Sequence, residues 1–271
     1  MLAKLKSTIL TIMRGYFWEG VLNNFLPLKK IYQRNMNDAR DAHLQSIQAF
    51  VSIFSKGDNG LIPFNESILN NSETRSLSAN LKQLLDKHGS DKANYHTYQD
   101  IYAFILNKIN ATNASSILEI GIGSTEQPSM RAFFEFIRNN NFNINYIGVD
   151  INKKFLTDPS QQGITLLHFD QLERNSAAVL IAKLQNHNIS LIIDDGLHTA
   201  DANISAFNNL MDYVNNGAIY IIEDVNRNQL PFWEEVPKLF PLLHFKVRNM
   251  TDVGPYDNIQ IIIHNIEVSW L

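Results

Sequence analysis

The chain has 271 residues, 45% of them hydrophobic and none of them cysteine. That is enough apolar material for one large domain, or a core domain with an appendage, and it excludes wholesale disorder. Without cysteine there is no disulfide framework, thiolate metal site or cysteine nucleophile, so any metal must be held by carboxylate, imidazole or carbonyl groups; and 23 basic against 27 acidic residues, a net charge of −4, leave no electrostatic footprint for nucleic acid.

No stretch approaches the roughly 18 uninterrupted apolar residues of a transmembrane helix. Lys4 and Lys6 precede a short apolar run, Ser7–Met13, but Arg14 interrupts it and no small-residue cleavage site follows. A signal peptide is therefore not predicted, and a cytoplasmic location is expected. Leu5, Ile9, Ile12, Met13, Tyr16 and Phe17 recur at helical spacing, which reads as a helix docked on the domain or on a sister subunit in a homo-oligomer. Residues 1–88 read as a helical N-terminal region serving oligomerisation, docking or a lid, broken at Pro27, at Gly57–Gly60 and at Pro63. Within it, Leu77, Leu81, Leu84 and Leu85 predict a helix over Thr74–His88.

From Ser90 onward strand and helix alternate, the pattern of a doubly wound α/β domain over residues 89–271. A helix is predicted at Ile101–Ile109, a first strand at Ser116–Ile120, and a helix around Ser129–Arg138. Further strands are predicted at Tyr146–Val149, Ile164–His168, Ser190–Ile193 and Ala218–Ile222, with a helix at Thr199–Val214 before the fifth. Two late strands, near His244–Val247 and Ile259–His264, complete a Rossmann-like, mostly parallel seven-stranded sheet whose last strand runs antiparallel. Every candidate polar residue falls at the C-terminal end of a predicted parallel strand, the edge at which open α/β sheets bind ligands.

At the first such end, Glu119-Ile-Gly121-Ile-Gly123-Ser124 makes a glycine-containing turn that allows close approach of backbone to a ligand. The third glycine of a dinucleotide fingerprint is missing, so a nicotinamide-dependent oxidoreductase is disfavoured and the turn suits an uncharged nucleoside or amino-acid moiety. Asp150, ending the second strand, can accept hydrogen bonds from both hydroxyls of a ribose; the alternative is a helix cap before Asn152–Phe155. Asp170 and Gln171, after the third strand, are placed to contact an adenine amino group.

Asp194, Asp195, Glu223 and Asp224 gather four carboxylates at two adjacent strand ends. Like charges so close call for a counter-ion, and hard oxygen ligands favour Mg²⁺, Ca²⁺ or Mn²⁺ over Zn²⁺, although Asp194 also suits a helix cap. His198, three residues beyond Asp195, reads as a general base, with a fourth metal ligand or a capping side chain as alternatives. His43, His88, His168, His187, His244 and His264 lack such company and read as structural. Arg227, Asn228, Phe232 and Trp233 are candidate lid or acceptor contacts, with core packing an equal reading of the two aromatic residues.

Taken together, Glu119-Ile-Gly-Ile-Gly123, Asp150, Asp170-Gln171, Asp194-Asp-Gly-Leu-His198 and Glu223-Asp224 resemble the class I S-adenosylmethionine methyltransferases. The nearest branch is that of the metal-dependent sugar O-methyltransferases of the mycinamicin and macrocin type, with the rhamnosyl O-methyltransferases. Ser90-Asp-Lys92 followed by His96, Tyr98 and Tyr102 resembles an upstream segment of the same family. The resemblance implies that S-adenosylmethionine is bound by Glu119, Gly121, Gly123 and Asp150. It implies Mg²⁺ or Mn²⁺ on Asp195, Glu223 and Asp224, with His198 as base and a sugar or glycoside hydroxyl as methyl acceptor. Leu197 stands where the family has a small residue, and Thr125 where many methyltransferases keep a third glycine, so the acceptor pocket is expected to differ. A catechol-type O-methyltransferase and a non-catalytic cofactor-binding protein of the same fold are the alternatives.

Overall fold

The computed structural model describes residues 60–111, 115–156, 163–240, 242–265, 268 and 270–271. The helix predicted around Leu5–Phe17, the break at Pro27 and His43 lie outside the described residues. Gly57–Leu271 form one compact unit. Its strands are β1 (Ile62–Pro63), β2 (Ser115–Ile120), β3 (Ile144–Asp150), β4 (Ile164–His168), β5 (Asn188–Asp194), β6 (Ile219–Ile222), β7 (Leu243–Asn249) and β8 (Ile259–Asn265). Its helices are α1 (Ser72–His88), α2 (Gln99–Asn110), α3 (Pro128–Asn139), α4 (Arg174–Leu184), α5 (Ala200–Asn215) and the short α6 (Leu230–Glu235).

These strands make one sheet in the order β1-β7-β8-β6-β5-β2-β3-β4. Strands β2 to β6 pair in parallel, and β8 runs antiparallel to both β6 and β7. The seven predicted strands, the antiparallel last strand and the doubly wound, Rossmann-like fold are thus as expected. An eighth strand, β1, adds two residues in parallel beside β7. Two residues are too short for any periodicity to mark. The chain runs outward from β2 through β3 to β4, then returns to β5 on the other side of β2. The switch point therefore lies between the C-terminal ends of β2 and β5.

Helices cover both faces. Residues 60–88 supply β1 and α1 to this unit, and α1 packs on α2 and α3 against the face that carries Ile117, Tyr146, Leu191, Ile221 and Ile262. Helix α5 contacts β5, β6 and β8, and α4 contacts β4 and α5. Strand β2 is buried along its whole length, because a central parallel strand has helices on either side. Helix α1 begins where the Asn71 side chain accepts from the Thr74 amide at 2.7 Å and ends at Gly89, whose φ of 77° is left-handed. Helix α4 carried no clear sequence signal: Ala177, Leu180 and Leu184 are buried, but Val179 is exposed, so its apolar residues do not keep to one face. Among the described residues no helix is long and apolar enough to cross a membrane.

Arg248 of β7, itself buried, ties the segment before α1 to the start of α2. Its guanidinium donates to Glu66 at 2.8 and 3.0 Å, to Asp100 at 2.8 Å and to the Thr97 carbonyl at 3.2 Å. Both carboxylates are partly solvated, so the Arg248→Met variant is expected to lose about 2 kcal/mol, less than a fully buried pair would cost. Urea unfolding monitored by tryptophan fluorescence checks this; a change within error would mean the guanidinium contributes no net stability.

Candidate active site

The turn after β2 and the loop after β5 are locked together. The Asp195 amide donates to the Ile120 carbonyl at 2.9 Å, and the Gly121 amide to the Val149 carbonyl at 2.8 Å. Gly121 has a φ of +85°, and a Cβ there would stand 2.1 Å from the Asp195 carbonyl oxygen. No other residue fits. A Cβ at Gly123, whose φ is +74°, would meet nothing within 4 Å, so that side of its backbone is open to a ligand.

Asp150 organises this turn from the neighbouring strand end. One carboxylate oxygen accepts from the amides of Ile122 and Gly123 at 3.1 and 3.4 Å, the other from the Asn152 amide at 2.7 Å. The helix cap before Lys153–Phe155 is Asn152, whose side chain accepts from the Lys154 amide. Glu119 is buried beneath the turn, accepts a hydrogen bond from the Tyr146 hydroxyl and lies 3.7 Å from Lys92 Nζ. Burial pushes its carboxyl up, against the pull of Lys92.

Asp170 and Gln171 reach the same edge by a different route. Asp170 accepts from the Leu172 amide at 2.9 Å. Gln171 is buried; its amide donates to Asp194 at 2.7 Å and its oxygen accepts from the Leu197 amide at 2.9 Å. In this arrangement Gln171 braces the loop that carries Asp195 and His198.

The acids at the ends of β5 and β6 divide into two kinds. Asp194 is fully buried and accepts from the Tyr220 hydroxyl at 2.8 Å as well as from Gln171. Burial pushes its carboxyl up to about 6 against these donors, and it is a structural anchor for the sheet edge rather than a helix cap. Asp195 and Asp224 are partly exposed, whereas Glu223 is fully buried behind them. Asp195 Oδ1 lies 3.7 Å from His198 Nε2, and its Oδ2 lies 2.5 Å from Lys92 Nζ. Asp224 accepts from the Tyr98 hydroxyl at 2.8 Å and stands 3.4 Å from His96 Nε2. Burial raises its carboxyl, helped by Asp195 and opposed by His96.

Asp195, His198 and Asp224 each offer one ligand atom, and these atoms lie within 4.8 Å of one another. Two carboxylate oxygens and an imidazole nitrogen without any thiolate fit a hard divalent cation. His198 and Asp224 both have φ of +53°, a conformation that side-chain-bearing residues adopt only under constraint. The Gln229 side chain supplies part of that constraint by donating to the His198 carbonyl at 3.0 Å. The His198 side chain is 39% exposed and so is reachable by an acceptor.

Several members of this cluster carried no predictive sequence signal. Lys92, buried among Asp195, Glu223 and Glu119, contacts partners 103 and 131 residues away. Burial would lower its pKa, but the surrounding carboxylates raise it well above the ordinary lysine value. Tyr102 donates to Glu223 at 2.7 Å. Only the likeness of Ser90-Asp-Lys92, His96, Tyr98 and Tyr102 to a family segment pointed here, and spacing alone gave them no role. Conversely, Phe232 and Trp233 are core residues, at 1% and 0% exposure, and not acceptor contacts. Arg227 donates to the Thr251 hydroxyl at 3.1 Å. His88 pairs with Glu135 at 2.7 Å, and His264 is buried beside His244 on neighbouring strands, its pKa pushed down to about 4 by that burial.

The Gly121→Ala variant is expected to lose at least about 2 kcal/mol, because the methyl group meets backbone at a positive φ. A thermal melt within a degree or so of the parent would refute the interlock. Asp194 binds its proton more tightly folded than unfolded, so its contribution to stability is present below about 3.8 and lost as pH rises through about 6. Asp194→Asn should therefore flatten the dependence of unfolding free energy on pH across that window; an unaltered slope would show that the group titrates normally.

No family model matches the chain. It is 28% identical over 154 residues to an 8-demethyl-8-alpha-L-rhamnosyl tetracenomycin-C 2'-O-methyltransferase of Streptomyces olivaceus, covering 55% of this chain and 38% of the relative. It is also 28% identical over 160 residues to the 8-demethyl-8-(2-methoxy-alpha-L-rhamnosyl)-tetracenomycin-C 3'-O-methyltransferase of the same organism, with the same coverage. The chain thus spans 38% of the length of these curated relatives. Among solved structures it is similar to the MycE methyltransferase of the mycinamycin biosynthetic pathway, in complex with Mg and SAH (24% identity, 54% of this chain, 37% of that one, TM-score 0.44). It is also similar to CalS11, a calicheamicin methyltransferase (12% identity, 73% of this chain, 94% of that one, TM-score 0.42). Over about 55% of its length the chain is thus similar, at 28% identity, to two rhamnosyl O-methyltransferases.

Proposed function

We propose that the chain is a metal-dependent O-methyltransferase that moves a methyl group from S-adenosylmethionine to a hydroxyl of a sugar or glycoside. The observation that carries this reading is the convergence of Asp195, His198 and Asp224 beside the Gly121–Gly123 turn, which Asp150 organises. The rhamnosyl acceptors named for the two curated relatives support the sugar.

The buried Glu119, the open backbone at Gly123 and Asp150 fit an amino-acid and ribose moiety; bound there, S-adenosylmethionine would supply an activated methyl group. Asp195 and Asp224, with His198 beside them, fit a divalent cation, with Glu223 directly behind; Mg²⁺ or Mn²⁺ held there would acidify a neighbouring hydroxyl. The chain's own contribution is to position and to move a proton. His198, exposed and held by Asp195 and by the Gln229 amide, accepts the hydroxyl proton at Nε2. Tyr98, kept protonated by burial, fixes the orientation of Asp224 as a hydrogen-bond donor. Leu197, half exposed beside His198, narrows the acceptor side of the opening to an apolar contact. Holding two substrates in line and excluding water supplies much of the acceleration in such a site.

Calorimetry with S-adenosylmethionine, followed by methyl transfer assays on rhamnosides and on catechols with Mg²⁺ present, tests the proposal. No cofactor binding at millimolar concentration would leave a non-catalytic protein, and activity on catechols alone would replace the acceptor class. His198→Ala is expected to lower turnover by about 10²- to 10⁴-fold with cofactor affinity unchanged. Chelator should abolish activity and Mg²⁺ restore it; chelator-resistant turnover would make the carboxylates structural.

A further inference from the structure

Toward the end of the sheet away from the acids, two histidines face each other. His244 of β7 and His264 of β8 are direct partners in the antiparallel register, so their side chains leave the same face of the sheet. Ile261 pairs with Ile222, next to Glu223, and His264 lies three residues further along β8, roughly 10 Å from that end of the strand. The two ring centres are 5.3 Å apart, with the planes tilted by 43°. His264 is 2% exposed, and its Nδ1 lies 2.8 Å from the Asn265 carbonyl oxygen. A carbonyl only accepts, so Nδ1 carries the proton and Nε2 the lone pair. That Nε2 is buried and has no hydrogen-bond partner among the described residues. His244 is half-buried, so the pair is reachable from solvent on its β7 side.

We propose that His244 and His264 form a second metal site, for a nitrogen-preferring transition ion such as Zn²⁺ or Cu²⁺, that clamps β7 to β8. It is independent of the hard-cation site at the strand ends. Two imidazoles on one ion, each at about 2.0–2.1 Å, have ring centres about 5 Å apart at a tetrahedral angle, close to the separation seen here. A histidine ligand also donates its other ring N–H to a carbonyl or carboxylate, as His264 does to Asn265. Burial pushes the His264 pKa down to about 4, so at neutral pH the ring is in the uncharged form that binds metal. Leaving a buried nitrogen unpaired is costly, and Ile262, on the same face two residues away, shows that an aliphatic side chain suits this layer. A pair of imidazoles without carboxylate favours Cu²⁺ and Zn²⁺ over Mg²⁺. Lys246, next on that face of β7, works against a cation, but its ammonium is turned to the Leu271 carbonyl. Water entering past His244 fills the remaining positions on the ion.

Calorimetry of Zn²⁺ binding to the full chain carrying His198→Ala, with Mg²⁺ in excess, keeps the acid cluster out of the measurement. Binding of about one Zn²⁺ per chain is expected with a dissociation constant below about 100 µM, and His244→Ala should weaken it by at least about 10-fold. His244 is half-buried, so this variant disturbs folding least. No binding in that range, or an unaltered constant in His244→Ala, overturns the site. The electron paramagnetic resonance spectrum of added Cu²⁺ should show coupling to two imidazole nitrogens, reduced to one in His264→Ala; the same spectrum in both proteins would also overturn it. Zn²⁺ should raise the melting temperature of the parent but not of His244→Ala, and equal rises would place the ion elsewhere. Lys246→Met removes the neighbouring ammonium and should tighten Zn²⁺ by about 3-fold or more; no tightening would put the ion away from this face.

Discussion

Where β2 and β5 end side by side, the Asp195 amide donates to the Ile120 carbonyl across 2.9 Å, and Gly121 leaves no room for even a methyl group. That backbone contact couples two loops with different tasks. One carries the glycine turn and Asp150, the other carries Asp195 and His198. A displacement of either is felt by both, because the intervening atoms are main chain and cannot rotate away. Gln171 reinforces the coupling from a third strand end, bracing Asp194 and the Leu197 amide at once.

Around this junction the protein buries Lys92, Glu119, Asp194 and Glu223. Glu119 and Glu223 are fully buried, and Lys92 lies between them. Removing ions from water is costly, and attraction offsets that cost only where geometry and hydrogen bonding are favourable. Here Tyr102 and Tyr146 donate to the two glutamates, Tyr98 to Asp224 and Tyr220 to Asp194. Burial raises the pKa of all four tyrosines and keeps them as donors. The donors are thus mainly phenols, which bring hydroxyls on largely apolar side chains, joined by one ammonium and the Gln171 amide.

The fold and the acceptor belong to different levels. A Rossmann-like sheet with acids at its strand ends hosts many methyl transfers, so the architecture does not select a hydroxyl. Under the proposed function, selection would fall to exposed side chains such as Leu197 beside the proposed base.

The alternation of strands and helices and the antiparallel last strand were legible in the sequence. Buried parallel strands read as short apolar runs, and the polar residue ending each run stands out against it. Strand β1 and helix α4 were not legible, the first because two residues have no period, the second because its apolar residues spread around the helix. Phe232 and Trp233 illustrate the opposite limit: composition allows an exposed aromatic pair, and packing makes them core. The sequence by itself determined which acids, glycines and histidines gather at the strand ends, since strand and turn patterns are local. Only the tertiary structure decided that Lys92 sits against Glu223, that Gln171 is a brace and that Asp194 is an anchor. Those roles depend on contacts between residues far apart in the chain, with 131 residues separating Lys92 from Glu223, and on burial that no local pattern records.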